Sequence, residues 1–448
     1  MHHVSLCSTI DLHVPRFLLA RLHTDSLLDK RTAKDVKLTL AKLSKGSAAL
    51  NDAYGDALHR IKGQLDGDYI LAKKVLSWIT FAKRPLTTAE ICCALAVEPK
   101  GTKIDPENVP DVEDLVSVCA GLVVVDNESA VIRLVHYTTQ EYFEQVRDAW
   151  NLGGHLDIAT TCLIYLSFSS FESGSCSTDK EFEERLQQNK FLDYAAKHWG
   201  EHARSVEAEM ANLAHRFLLH GGLLSCATQA LFVPDYKYEE YSQRYPTITA
   251  LHCTARFGLC SITKEVLPLG EEDATNAIHA KDNSGRTPLA YAAEYGHREV
   301  AKLLLEKNAD VNAQGGDYRD YRNALQAASL GGHEQVVRLL LEKNAEVNAP
   351  GGFYGNALQA ASLEGHEQVV KLLLEKNADV NAQGRHYGNA LQAASLEGHE
   401  QVVKLLLEKN ADVNAQGGLY GNALQAASLG GHEQVVKLLI SNGAVPVV

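Results

Sequence analysis

The C-terminal half of the chain alternates two apolar patterns at a fixed spacing. EQVVKLLLEK, residues 400–409, gathers Val402, Val403, Leu405, Leu406 and Leu407 on one wide face and sets Glu400 four residues before Lys404 on the other, which predicts an amphipathic helix. NALQAASLE before it is rich in Ala and Leu and predicts a shorter helix. Asn389 stands at its start, as do Asn323, Asn356 and Asn422 in the sister segments, where a side-chain oxygen can accept a backbone N–H bond. Gly398 is placed to end the first helix. The second must stop at Asn308, Asn344, Asn377 or Asn410, and in the last segment at Gly443, the residue types that best tolerate a left-handed turn. The cycle recurs through a Gly-His dipeptide with histidines at 297, 333, 366, 399 and 432, at intervals of 36, 33, 33 and 33 residues. Segments 354–384 and 387–417 are identical. Such a period predicts a stack of helix pairs in which each unit buries its core only against its neighbours.

Residues 68–150 follow a different pattern. DYILAKKVLSWITFAKRPLTTAEICCALAV predicts a helix through Trp78, a turn at Pro85, and a second helix capped by Thr87 or Thr88 with Glu90 in its first turn. DVEDLVSVCAG predicts a third helix ending at Gly121, and the apolar runs Leu122 to Val125 and Val131 to Val135 predict a hairpin split by Asp126-Asn127-Glu128-Ser129. Three helices and a hairpin make a winged helix. Residues 151–246 carry apolar positions at helical spacing, including TTCLIYLSF, and predict a helical connector. Its tyrosine-rich end, with Tyr236, Tyr238, Tyr241 and Tyr245, is expected to pack on the first repeat.

The 33-residue period, the paired helices and the loop ADVNAQG resemble ankyrin repeats, and Thr287-Pro288-Leu289 matches the TPLH start of that family. NALQ replaces TPLH in four units, so Gln326, Gln359, Gln392 and Gln425 stand where the usual histidine would, and only hydrogen bonding is kept. A degenerate unit, TALHCTARFGLCSITKEVL at 249–267, precedes them, giving about six units over 247–448 with the last shortened. Upstream, RFLLARLHTDSLLDK (16–30), DAYGDALHRIKGQLDGD (52–68), RLVHYTTQEYF (133–143) and FLDYAAKHWGEHAR (191–204) resemble the region following the nucleotide-binding module of fungal-type NACHT, or STAND-like, proteins. That resemblance implies a helical remnant of the NACHT region over 1–67, a winged helix of the GPI inositol-deacylase-like type over 68–150, the connector, and then ankyrin repeats. The fold expected is therefore mainly α: a helical and winged-helix module followed by a solenoid.

With 448 residues and 45% hydrophobic composition, the chain has the makings of roughly three domains. A net charge of −13 gives counterion-release binding to nucleic acid or anionic membrane little to work with. The third helix of the winged helix carries Asp111, Glu113 and Asp114 and no Lys or Arg, which argues against a place in a DNA groove. Nine cysteines without CxxC spacing fit a reducing compartment, cytoplasmic or nuclear, and no run of about 18 apolar residues predicts a membrane span. Cys92 and Cys93, about 100° apart on a helix, should bury one side chain of the two.

The sequence carries no motif for nucleotide or ester chemistry. No GxxxxGK[ST] loop is available to hold nucleotide phosphates, and Lys45-Gly46-Ser47 has the wrong order. No GxSxG elbow supplies a serine nucleophile for a lipid hydrolase, and Ser173-Gly174-Ser175-Cys176-Ser177 predicts a flexible loop. His136 resembles a winged-helix histidine that contacts the terminal phosphate in signalling ATPases, but it has no phosphate loop to serve and is expected to be structural. The Gly-His histidines are expected to bond backbone in the next loop, and His2-His3 is expected to be a plain terminus. No catalytic, cofactor-binding or metal-ligating residue is assigned.

The remaining function is recognition of a protein partner. The fourth and fifth units differ only in Gly352-Phe353 against Arg385-His386, and the sixth has Gly418-Leu419 there. These residues fall in the loop before the first helix, which in ankyrin arrays projects as a finger along the concave side. The expected binding surface is therefore Phe353, Arg385, His386 and Leu419 on a ladder of Tyr321, Tyr354, Tyr387 and Tyr420, with Glu364 and Glu397 at the ends of the first helices.

Overall fold

The computed structural model describes residues 32–42, 48–150, 154–234, 239–315 and 323–445, and its chain falls into two compact units. Tyr236, Tyr238, Tyr321, Lys45-Gly46-Ser47 and His2-His3 lie outside the described residues.

In the first unit, α1 (Ala33–Lys42) and α2 (Ala48–Lys62) precede α3 (Asp66–Phe81). Strand β1 (Leu86–Thr87) then leads into α4 (Thr88–Leu95). Thr87 caps α4 by accepting from Glu90 N, and the Glu90 carboxylate accepts from Thr87 N at 2.8 Å, a reciprocal box that fixes the start of the helix. Helix α5 (Val112–Val118) ends in a left-handed pair, Ala120 and Gly121, that turns the chain into β2 (Val123–Asp126). Strand β3 (Val131–Leu134) returns antiparallel, with Val125 opposite Ile132, and β1 pairs on its other edge, giving the order β1-β3-β2. The third strand was not expected from the sequence: two residues after a proline carry no alternation to read. Cys92 is buried while Cys93 is half-buried, as their divergence on α4 requires.

Helix α6 (Tyr137–Trp150) follows the hairpin, and α7 (Gly154–Leu166), α8 (Asp179–Gln188) and α9 (Leu192–Ala203) complete the unit. Helix α9 packs on α7, which packs on α3. The edge of Trp78 meets Phe191 and Tyr194 at 5.5 and 5.9 Å between ring centres, and Phe191 meets Tyr165 at 5.2 Å. Residues 151–246, expected as one connector, thus divide between the two units. The part up to Val206, apart from 173–176, completes the core around the winged helix, whereas Glu207–Leu219 and Gly221–Leu231 form a helix pair of the second unit.

The second unit is a row of helix pairs. After that leading pair come Ala250–Phe257 with Cys260–Val266, and then Pro288–Glu294 with Arg298–Glu306. Four more pairs begin at Ala324, Ala357, Ala390 and Ala423, and Glu271–Ile278 is an extra helix before Pro288. The Glu207 carboxylate accepts from Ser261 N and Ile262 N, closing the open start of the helix at Cys260. The loop at 173–176, expected to be flexible, belongs here and is held: buried Gln229 accepts from Cys176 N at 2.8 Å and donates to its carbonyl at 3.0 Å. Tyr241 is buried in the same unit.

Three polar side chains repeat through the stack and explain why its units resemble one another. Asn323, Asn356, Asn389 and Asn422 cap the first helices, each accepting from the amide three residues on. Asn308, Asn344, Asn377 and Asn410 end the second helices at φ of 62–64°, the left-handed conformation expected of them. Asn348, Asn381 and Asn414 then tie neighbours: Asn381 donates to Asn410 O at 3.3 Å and accepts from Asp412 N at 2.8 Å.

Candidate functional site

The loops before the first helices at Ala390 and Ala423 are closed fingers. In the fifth unit Gly384 N donates to Gly388 O at 2.6 Å, so Arg385, His386 and Tyr387 project from a tight turn, and Gly417 N donates to Gly421 O at 2.9 Å in the sixth. Gly388 adopts a φ of +72° directly against the Gln392 amide, where a Cβ would overlap it.

The glutamine of NALQ holds the finger base. Gln359 Oε1 accepts from Asn356 N at 2.7 Å, while its Nε2 donates to Gly388 O of the next finger at 2.7 Å and to Ala382 O at 2.8 Å. In the degenerate unit the histidine that Gln replaces does the same work: His252 Nδ1 meets Thr249 N, and Nε2 meets Arg286 O at 2.9 Å. One amide thus substitutes for both ring nitrogens, so the hydrogen bonding expected to survive the exchange does survive. Burial lowers the pKa of His252 to about 4, keeping the ring neutral and able to accept.

The Gly-His histidines also bond backbone, though not where expected. His333 Nε2 lies 2.8 Å from Glu294 O and His366 Nε2 lies 2.9 Å from Leu330 O, carbonyls that end the first helix of the preceding unit and are not in the next loop. Those carbonyls have no partner within their own helix, so the ring fills a need that the period alone does not reveal.

On this frame the tips converge. Phe353 and His386, from adjacent fingers, lie 4.0 Å apart between ring centres, and Phe353 meets Tyr354 edge-on at 5.3 Å and Tyr387 at 5.6 Å. Tyr387 stacks with Tyr420 at 6.3 Å and 21°. Leu419 is 68% exposed, and its amide donates to His386 O at 2.9 Å. Phe353, Tyr354, Arg385, His386 and Leu419 also line an open groove of about 1180 Å³. Glu364 and Glu397 are exposed at the ends of their first helices. Burial raises the Tyr387 pKa first, and the charges of Tyr354, Tyr420, Glu397 and Glu364 raise it further. Tyr321 falls outside the described residues.

In the first unit His136 sits one residue before α6, where its Nδ1 faces Thr138 N at 3.3 Å and Thr138 Oγ1 at 2.9 Å, an arrangement that caps the helix. Beside it Lys83, Arg84, Arg133 and Tyr137 line a cavity of about 360 Å³. Among the described residues, no group of three or more His, Cys, Asp or Glu side chains could hold a metal ion, and no helix is long and apolar enough to cross a membrane.

Comparison with known proteins finds a match within each unit. Residues 61–151 match the winged helix domain of GPI inositol-deacylase. Residues 219–315 and 312–384 match one ankyrin-repeat model, and 390–440 match another. The array is an ankyrin-repeat solenoid. Its match begins at 219, upstream of the 247 expected, where the leading helix pair lacks the Gly-His and NALQ signals. Among curated proteins the chain is similar to acyl-CoA-binding domain-containing protein 2 of Arabidopsis thaliana, 36% identical over 74 residues, or 16% of this chain and 19% of that one. It is also similar to the serine/threonine-protein kinase VIK of the same plant, 34% identical over 94 residues, or 21% of this chain and 20% of that one. The chain thus spans about a fifth of the length of these relatives. The ankyrin repeat domain of human ASB11 is a solved structure with 25% identity and a TM-score of 0.39, covering 44% of this chain and 85% of that one.

Proposed function

We propose that the chain is a non-enzymatic recognition module whose ankyrin fingers capture a protein partner, and that it serves as the sensor part of a NACHT-like signalling protein in the cytoplasm. Ankyrin repeats support protein–protein interaction as the general role. The finer reading rests on one observation: the positions that differ between nearly identical units are the finger tips, and these tips meet in a single aromatic ridge of Phe353, His386, Tyr387 and Tyr420. Aromatic rings offer contact area at small entropic cost, which suits them to recognition. Loop tips also drift freely where mutation costs no stability, so the test must separate binding from folding.

The test replaces Phe353, Arg385, His386 and Leu419 together by Ser and measures thermal melting and capture of proteins from a cell extract side by side. The expected result is an unchanged melting temperature with loss of the proteins held by the parent chain. Unchanged capture by a folded variant would place the partner elsewhere.

A second reading is a nucleotide-regulated switch completed by a phosphate-binding module on another chain. It is favoured by the cationic lining of the cavity beside His136 and opposed by the helix-capping bonds of that ring. By itself this chain should show no saturable micromolar binding of ATP or GTP by calorimetry.

A further inference from the structure

The joints between successive helix pairs show how one unit receives the next. At Gly258, Gly296, Gly332, Gly365 and Gly398, all with φ of 69–77°, the room that a Cβ would need is taken by the histidine ring of the following unit, His297, His333, His366, His399 or His432. The ring also reaches a carbonyl of the receiving unit: Leu330 O lies 2.9 Å from His366 Nε2, and Leu363 O lies 2.8 Å from His399 Nε2. A glutamine of the receiving unit completes the joint. Gln326, Gln359 and Gln392 are buried, and each donates through Nε2 to a carbonyl in the loop of the following unit.

Among the described residues the helix pair Ala423–Leu429 and Glu433–Ser441 has such a neighbour on one side only, yet its first helix reads ALQAASL, as in the three pairs before it. Its outer face is built as an interior face. Gly431 keeps a left-handed φ of +74°, and nothing lies within 4 Å of the position its Cβ would take. Gln425 Oε1 accepts from Asn422 N at 3.1 Å, but the side chain is exposed and its Nε2 has no bond among the described residues. Leu429 is 70% exposed where Leu363 is 5%, Ser428 is exposed where Ser362 and Ser395 are buried, and Val436 is half-buried where Val370 and Val403 are buried. No position uncovered in this way is charged. Leu429, Val436 and the exposed Ile440 present apolar surface where the outermost unit of a solenoid is ordinarily polar.

We infer that this face docks an ankyrin-type unit of a second polypeptide, one that carries Gly-His between its helices. The incoming histidine lies over Gly431 and bonds Leu429 O, while the incoming loop offers Gln425 Nε2 the carbonyl it lacks. The five filled joints define that occupant. A second copy of this chain does not fit, because its own Gly-His rings are already seated over glycines. The face is separate from the finger tips, and neither reading depends on the other.

The test uses the full chain and a fluorescein-labelled peptide of residues 385–417, which spans one such unit, followed by anisotropy. Saturable micromolar binding is expected, weaker than for a preformed unit because the peptide must fold as it binds. The peptide carrying His399→Ala should bind about tenfold more weakly. That ring makes no capping bond in its own unit, so the change removes only the joint. In the chain, Gly431→Ala puts a methyl group where the ring must lie and should cost about tenfold or more, whereas Phe353→Ser with Arg385→Ser, on fingers away from this face, should leave binding unchanged. Melting curves establish that each variant is folded, and the peptide variant decides the matter even where Gly431→Ala frays the last helix pair. No saturable binding up to about 100 µM, equal binding of a scrambled or His399→Ala peptide, or full affinity in a folded Gly431→Ala chain would overturn the inference. Loss of binding in the finger variant would place the peptide on the fingers and overturn it too. Dimerisation in light scattering that Leu429→Glu abolishes, with no peptide bound, would give the face to a second copy instead.

Discussion

The two units reach stability by opposite routes. In the array the bonds of the fingers and turns recur one repeat later: Gln359 and Gln392 each hold the base of the next finger, and Asn348, Asn381 and Asn414 each bridge to the next turn. The unit around the winged helix relies on single contacts between residues far apart in the chain. Arg84 binds Glu90 at 2.6 Å and Asp193 at 2.9 Å, Lys83 N donates to the Tyr194 hydroxyl, and His202 Nδ1 lies 2.9 Å from His155 Nδ1. Periodic bonding lets one unit change without consulting the others, so finger tips can diverge over a constant frame. Unique bonding makes each contact a shared support.

The largest effect is expected at Arg84. Burial works against its charge, but Glu90 and Asp193 more than offset this and raise its pKa, so Arg84→Met would leave the nearly buried Glu90 carboxylate without its partner. A loss of about 2–4 kcal/mol is expected, less than for a fully buried pair because Arg84 is a third exposed. Urea unfolding followed by near-ultraviolet circular dichroism of Trp78 and Trp199 should show the first unit melting earlier, while the helix signal of the array keeps its midpoint.

Acid sharpens the contrast by a smaller amount. Burial is the main cause that lowers His202 to about 3, with His155, Lys83 and His198 adding to it, and burial lowers His252 to about 4. A histidine depressed in the fold takes up its proton more readily when unfolded. Stability is therefore full above the unfolded pKa near 6.5 and is lost as pH falls from there toward these values, by at most about 1.4 kcal/mol per pH unit for each ring. Melting between pH 7 and 4.5 should show both units falling, and His252→Gln should flatten the slope for the array alone, since glutamine makes the same bonds in the later units.

The smallest effect lies at the left-handed turns. Asn410 holds a φ of 63°, so Asn410→Ala should cost about 1 kcal/mol and Asn410→Gly should cost little. Equal melting temperatures for the two variants would mean that the turn relaxes.

These contrasts also explain what could be read from the sequence. Caps and left-handed asparagines in the array were legible because four copies of each state the same local chemistry, and the helix start at Thr87 or Thr88 with Glu90 in its first turn was legible because its signal spans four residues. The destination of the Gly-His rings was not, since the carbonyl they meet lies 36 to 41 residues back. Nor was the triad of Arg84, Glu90 and Asp193, whose members are 109 residues apart in the chain at the widest. Strand β1 and the division of the connector likewise depend on partners distant in sequence. At the candidate site the variable tips were visible, but their convergence into one ridge was not, because it depends on how closely successive fingers stack.

Among the described residues, the finger and turn bonds of the array pass between neighbouring units, which leaves the tips free to specialise. Gln392→Leu tests it most directly, because it removes the cap bond to Asn389 N and the clamp on Gly421 O together. Hydrogen exchange read by mass spectrometry should show protection falling in the helices at Ala390–Leu396 and Ala423–Leu429 and in the finger at 417–421, while Ala324–Leu330 and Asp66–Phe81 keep theirs. A uniform loss of protection along the whole array would contradict the claim and make the solenoid a single cooperative body.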